Sequence, residues 1–214
     1  MKRFRRALVG EGLQHRVYRF SKTRVRKIPT SHTQKKKLLK SWGITKAKEV
    51  HRWIQQADAM TEDSLSHIRQ VFDRHNAAMI GRPFFRKNFS YEQDFAMPLE
   101  EYFRRHTLAE NKKAVDQYIQ LVLQAWRLGF SDMVFNLTIN NGVCRGRVIF
   151  IDLGEFTFSR QKIVQLIRHQ EWLKKRSYLT LKDEQLKRYF TVQMRKELTV
   201  SRLQKEWKSG VINK

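Results

Sequence analysis

The chain has 214 residues, 41% hydrophobic and 12% aromatic, enough for one large domain or two small lobes with a real core and too apolar for wholesale disorder. With 44 Lys and Arg against 20 Asp and Glu the formal charge is +24, a surplus that calls for an anionic partner: nucleic acid, nucleotide phosphates or an anionic membrane surface. The only cysteine, Cys144, excludes an internal disulfide and a multi-cysteine zinc site and fits a reducing compartment. The start MKRFRRALVGEG has no apolar core of signal-peptide length, and no stretch approaches the roughly 18 to 20 apolar residues that span a bilayer. The expected location is the cytoplasm, with peripheral contact to the inner face of the membrane as an option.

Residues 4–28 read as a three-stranded antiparallel meander. Ala7-Leu8-Val9 runs into Gly10-Glu11-Gly12, Arg16 to Phe20 alternates with period two, and Val25 to Ile28 stops at Pro29. Residues 31–41 read as a basic connector. From Thr45 to Met60, Val50, Trp53, Ile54 and Ala57 fall at helical spacing, and a second helix is expected from Thr61, with Glu62 and Asp63 in its first turn. Ala77 to Phe85 and Phe89 to Met97 read as a second pair of strands, and Leu99 to Phe103 as a short helical turn. Lys113 to Leu128 is the clearest helix, ended by Gly129. An irregular segment with Asp132 and Asn136 follows, then a turn at Gly142, then a strand that ends at Asp152. Residues 160–208 read as helical and strongly basic. Strands in front and helices behind predict an α+β protein.

Four stretches could carry chemistry. In RVIFIDLGEF (Arg147 to Phe156) an apolar strand delivers Asp152 at its tip, before a Gly-permitted turn; this suits a metal ligand at a cleft edge, or equally a buried strand and turn. Gly10-x-Gly12 lies between two strands, so it is neither a Rossmann fingerprint nor a P-loop, but it lets backbone lie close over phosphates. Lys27, on the third strand, could reach those phosphates as a point charge, held by a carboxylate of the following helix; Glu49 is best placed and Glu62 is the reserve. Asp132 and Asn136 supply a carboxylate that can orient a hydroxyl and an amide oxygen that can bind a metal.

The order of these pieces resembles the protein-kinase-like fold, in particular small bacterial kinase-like proteins of the PhoP-regulatory-network and lipopolysaccharide-kinase types. GEGLQHRVY (Gly10 to Tyr18) looks like a glycine-rich loop and VRKI (Val25 to Ile28) like the strand that bears the nucleotide lysine. SDMVFN (Ser131 to Asn136) looks like a catalytic loop, and IDLGE (Ile151 to Glu155) like a variant of the Asp-Phe-Gly motif. The resemblance implies a two-lobed fold, with a small antiparallel-sheet N-lobe over 1–98 and a helical C-lobe over 99–214. It implies ATP and Mg²⁺, with Gly10 and Gly12 over the phosphates, Lys27 braced by Glu49, Asp132 as catalytic base, and Asn136 and Asp152 on the metal. The acceptor would be a hydroxyl of a small molecule, saccharide, lipid or protein.

The sequence also departs from that pattern. His15 replaces the third loop glycine, no His-Arg-Asp triplet precedes the loop, and Asn136 follows Asp132 by four residues where the family has five. On the family's spacing Ser131 takes the base position, and the chain is then a catalytically weak or inactive regulator. The absence of Ala-Pro-Glu after Asp152 argues against a regulated activation loop. A third reading is a basic nucleic-acid-binding protein, with residues 160–208 offering a basic face to nucleic acid or anionic lipid.

Overall fold

The computed structural model describes residues 7–72 and 76–208. The fold is α+β, built on a five-stranded antiparallel sheet of order β1-β2-β3-β5-β4. Its strands are β1 (Ala7–Glu11), β2 (His15–Arg19), β3 (Arg24–Pro29), β4 (Phe84–Phe85) and β5 (Tyr91–Asp94). The expected front meander is therefore present; residues 4–6, read with its first strand, lie outside the described residues. A bulge between Leu8 and Gly10 breaks the β1–β2 register and leaves Val9 out of the ladder. Alternation along β3 sends Val25 and Lys27 to the buried face, while Ile28 is exposed and Arg26 pairs with Glu92 of β5. Val17, Lys27 and Tyr91 stand opposite one another across three strands.

Residues 31–41, read as a connector, are a helix: α1 spans His32–Ser41 and starts on a capping box in which Ser31 and Gln34 satisfy each other's backbone donors. The two helices expected between Thr45 and Phe72 are one, α2 (Ala47–Val71), 25 residues long. Thr61 does not cap a new helix; its hydroxyl donates back to the Ala57 carbonyl at 2.7 Å and the ladder continues. The strand expected over Ala77 to Phe85 contracts to β4, preceded by a 3-10 turn at Ala77–Ile80.

The second half is mostly helical. α3 (Leu99–Arg105) leads to α4 (Leu108–Arg127), which opens on a Thr107/Glu110 capping box and buries Val115, Tyr118, Ile119, Val122 and Trp126. Gly129, with φ of +80°, turns the chain at the end of that helix. Two small antiparallel sheets follow: β6 (Met97–Pro98), β8 (Asn141–Cys144) and β9 (Arg147–Phe150) form one, and β7 (Ser131–Asp132) and β10 (Phe156–Thr157) the other. The hairpin reversal is not at Gly142, which lies within β8, but at Arg145–Gly146, both left-handed. As expected, the basic C-terminal region is helical: α5 (Arg160–Arg168), α6 (Arg176–Leu179), α7 (Glu184–Glu197) and α8 (Val200–Glu206). α7 and α8 pack on α4 and α5 packs on α8, burying Ile163, Leu186, Phe190, Met194 and Leu203 in the same core as Trp126 and Phe150.

Candidate functional site

A cavity of about 850 Å³ opens beside the inner face of β1–β3. It is lined by the Gly10–His15 segment, by Lys27, by Trp53, Gln56, Ala57 and Met60 of α2, by Asn136 and Asn140, and by Ile151, Asp152 and Glu155. Five sequence-derived candidates therefore share one space: Gly10, Gly12, Lys27, Asn136 and Asp152.

The segment after β9 is fastened on every side. Behind it, Phe130, Phe150 and Phe156 pack edge to face, with ring centroids 5.0 Å apart for Phe130–Phe156 and 4.9 Å for Phe150–Phe156. The Asn140 carbonyl accepts from the amides of Ile151 at 2.8 Å and Asp152 at 3.3 Å. From α2, the fully buried Ser64 hydroxyl donates to the Leu153 carbonyl at 2.5 Å and accepts from the Phe156 amide at 3.1 Å. The Met133 amide donates to the Glu155 carbonyl at 2.8 Å, beside the short β7–β10 ladder. From the sheet, Lys27 Nζ donates to the Ile151 carbonyl and Gln14 Nε2 to the Gly154 carbonyl at 3.1 Å. Gly154 leaves room for this contact: a Cβ there would stand 2.0 Å from Gln14 Oε1 and would displace the Gln14 side chain. Gly10 and Gly12 have ordinary backbone and room for a Cβ, so their value to the site is open space and not conformation.

The electrostatics are concentrated. Lys27 is 7% exposed, and burial pulls its ammonium below the usual lysine range while the charges of Asp152 and Glu155 oppose that drop. Burial, then the negative charges of Asp152 and Asp132, pushes the Glu155 carboxyl up to about 8; Asn140 Nδ2 donates to its Oε2 at 2.6 Å. Asp132 is pushed up to about 7, chiefly by burial. His15 is brought down to about 4 by burial and then by the Lys27 charge, so its ring is neutral; its Nε2 lies 3.1 Å from the Phe89 carbonyl and its Nδ1 has no partner.

Three candidates stay outside the cavity. Glu49 sits in the first turn of α2, half-exposed and unpaired with Lys27. It belongs to the stripe that continues through Trp53, Gln56, Ala57 and Met60, but seven residues before Gln56, or about 10 Å along the axis. The side chains on that stripe within reach of the cavity are uncharged. Glu62, the reserve, is exposed and lines no part of the cavity. Asp132 is 1% exposed and also lines no part of it; its Oδ1 accepts from the amides of Val134 at 2.8 Å and Phe135 at 3.1 Å, which makes it the turn residue of the loop. The indole of Trp126 donates to Ser131 Oγ at 3.1 Å and ties that loop to α4.

Other site members escaped the sequence reading. Glu155 lay inside the quoted IDLGE motif without a role, and His15 entered only as the residue in place of a loop glycine. Gln14, Asn140 and Ser64 gave no signal, because their partners are backbone groups or side chains 15 to 140 positions away. Phe135, buried and left-handed at φ 47°, precedes Asn136, whose side-chain oxygen is buried without a partner. Strain of this kind before an unsatisfied polar atom is a mark of functional loops.

Among the described residues no group of three or more His, Cys, Asp or Glu side chains is arranged to hold a metal, and no helix is long and apolar enough to cross a membrane. No protein-family model matches the chain, and no curated protein matches it.

Proposed function

We propose that the protein is a kinase-like phosphotransferase that uses ATP and Mg²⁺ to phosphorylate a hydroxyl group, with an N-lobe over 1–98 and a helical C-lobe over 99–214. The observation that carries the reading is the meeting of Gly10, Gly12, Lys27, Asn136 and Asp152 in one cavity, in the chain order the resemblance implies. Lys27, buried beside an open glycine-bearing loop with one hydrogen bond to the Ile151 carbonyl, suits a polyphosphate, whose charge would favour its ammonium form. Asp152 and the unpartnered Asn136 oxygen are a donor set that suits Mg²⁺, which keeps several waters and takes one or two carboxylates plus substrate phosphates. The metal, when bound, would neutralise charge on the transferring phosphoryl group.

The chain's own residues then divide the work. Lys27 orients the phosphates, and the segment fastened by Ser64 and Asn140 fixes Asp152. Glu155 lines the cavity and Asp132 does not, so in this reading Glu155 receives the proton of the attacking hydroxyl and Asp132 holds the loop. Such proton transfer contributes about 10²- to 10⁴-fold in rate. One observation favours the second reading, a nucleotide-binding regulator that transfers nothing: neither a base in the expected loop position nor a carboxylate of α2 reaches the cavity.

Thermal unfolding separates the readings. MgATP should raise the melting temperature of the wild type, and the rise should vanish in Lys27→Ala and Asp152→Ala. No rise in the wild type refutes nucleotide binding. A rise without phosphate release or phosphorylation of any added hydroxyl compound selects the regulator.

A further inference from the structure

The mouth of the cavity differs in character from its floor. Trp42, the C-terminal cap of α1, is 53% exposed, and Trp53 of α2 is 40% exposed, and both line the opening. Val9, at the β1 bulge, and Ile139 complete the rim at 49% and 46% exposed. The chain's other tryptophans, Trp126, Trp172 and Trp207, are all buried. Large apolar side chains gathered at one opening and left in water mark an interaction surface.

The segment that bears these tryptophans exposes charge largely of one sign, although Glu11 and Glu101 line the same cavity. Over residues 31–57 the exposed charged side chains are Lys36, Lys37, Lys40, Lys46, Lys48 and Arg52; the only carboxylate there, Glu49, is half-exposed. None of the six basic side chains is engaged in an ion pair among the described residues. The buried Lys35 is different in kind, since it joins α1 to Asp58 of α2 and fixes the two helices together.

We propose that α1, the turn after it and the first half of α2 dock the protein on an anionic phospholipid bilayer, with Trp42 and Trp53 at the headgroup level. Indole rings favour that boundary because one edge is apolar and the N–H is polar, and unpaired lysines add attraction to anionic headgroups. The aliphatic Val9 and Ile139, which line the same cavity, gain from an acyl boundary and gain nothing from stacking on nucleic-acid bases. This assigns lipid contact to the α1–α2 unit and not to the C-terminal helices, where the exposed apolar side chains Leu179 and Val192 stand singly. The docking does not rest on the phosphotransferase reading, but it would bring the cavity mouth against the membrane.

Flotation of the full chain with vesicles tests it directly. Vesicles of phosphatidylcholine mixed with phosphatidylglycerol should carry the protein, and phosphatidylcholine alone should carry far less. The double variant Trp42→Ser/Trp53→Ser should bind at least about tenfold more weakly with an unchanged melting temperature, as should Lys36→Gln/Lys37→Gln/Lys40→Gln. Because the other three tryptophans are buried, quenching of tryptophan fluorescence by brominated lipid reports on Trp42 and Trp53 alone. Anionic-vesicle binding that survives both variants, or the absence of such quenching, overturns the proposal. So does tryptophan-dependent binding to a single-stranded RNA oligonucleotide without binding to vesicles, which would give the patch to nucleic acid. The thermal shift with MgATP, measured on the same variants, separates failure of docking from failure of nucleotide binding.

Discussion

Glu155 holds its proton to about 8, well above the ordinary carboxyl range, because it is buried near two other carboxylates. Between that ordinary range and about 8 the folded chain binds a proton that the unfolded chain has released, so stability falls as pH rises through this window. Asp132 adds a slope of the same sign up to about 7. A side chain that weakens the fold at neutral pH is retained for another reason, and the cavity supplies one. Glu155→Gln keeps an oxygen for Asn140 and removes the ionisation. It should raise the melting temperature at pH 8 by about 3 °C or more and flatten the dependence between pH 5 and pH 8. If the protein transfers phosphate, the same variant should lose the rise of rate with pH. A melting profile identical to wild type across that range would show that Glu155 does not titrate there.

At the scale of elements, the periodic segments were legible and the site was legible only in part. α4 could be read because its apolar positions keep a 3.6-residue period and a glycine ends it. α1 was hidden by its lysines, although Ser31-His-Thr-Gln34 is a capping-box sequence and lysine is a good helix former. The division of α2 at Thr61 failed because a threonine can return its hydroxyl to the preceding turn as well as open a new helix. The placement of Glu49 failed for a related reason: with α2 unbroken, the residue beside the cavity lies two turns further on. The place of Lys27 on the cavity was legible because a strand fixes which face its side chains take, and that of Asp152 because it follows the apolar β9, which stops at Phe150, whereas Gln14, Asn140 and Ser64 act through contacts that no local pattern announces. Ser64 is the clearest test at this scale. Ser64→Ala leaves the Phe156 amide without a partner in a buried setting, at a cost of about 1–3 kcal/mol. It should also weaken the MgATP shift, since it loosens the backbone that carries Asp152. A loss of stability with the full shift retained would make Ser64 a core residue only.

Across the whole molecule, the contacts between the five-stranded sheet and the helical half converge on Ile151 to Gly154. Lys27 reaches the Ile151 carbonyl, Tyr91 Oη accepts from the Leu153 amide at 3.5 Å, and Gln14 reaches the Gly154 carbonyl. Of these, only the Gln14 link comes from the glycine-bearing loop, and that loop must move if phosphates are to lie beneath it. The link is also the easiest to remove without touching the core. Gly154→Ala places a methyl group where the Gln14 amide sits, and because the nearest atoms are the far end of a flexible side chain, Gln14 can swing away at small cost. The variant should therefore lose less than about 1 kcal/mol of stability. Amide hydrogen exchange should rise at residues 12–15 and stay at wild-type values along α4, since local opening of the loop does not require the core to unfold. Should exchange rise in α4 as well, the Gln14–Gly154 link is part of what holds the two halves together; should it rise nowhere, the loop is held by Thr30 alone, whose hydroxyl and amide already bond the Gly12 and Gln14 carbonyls.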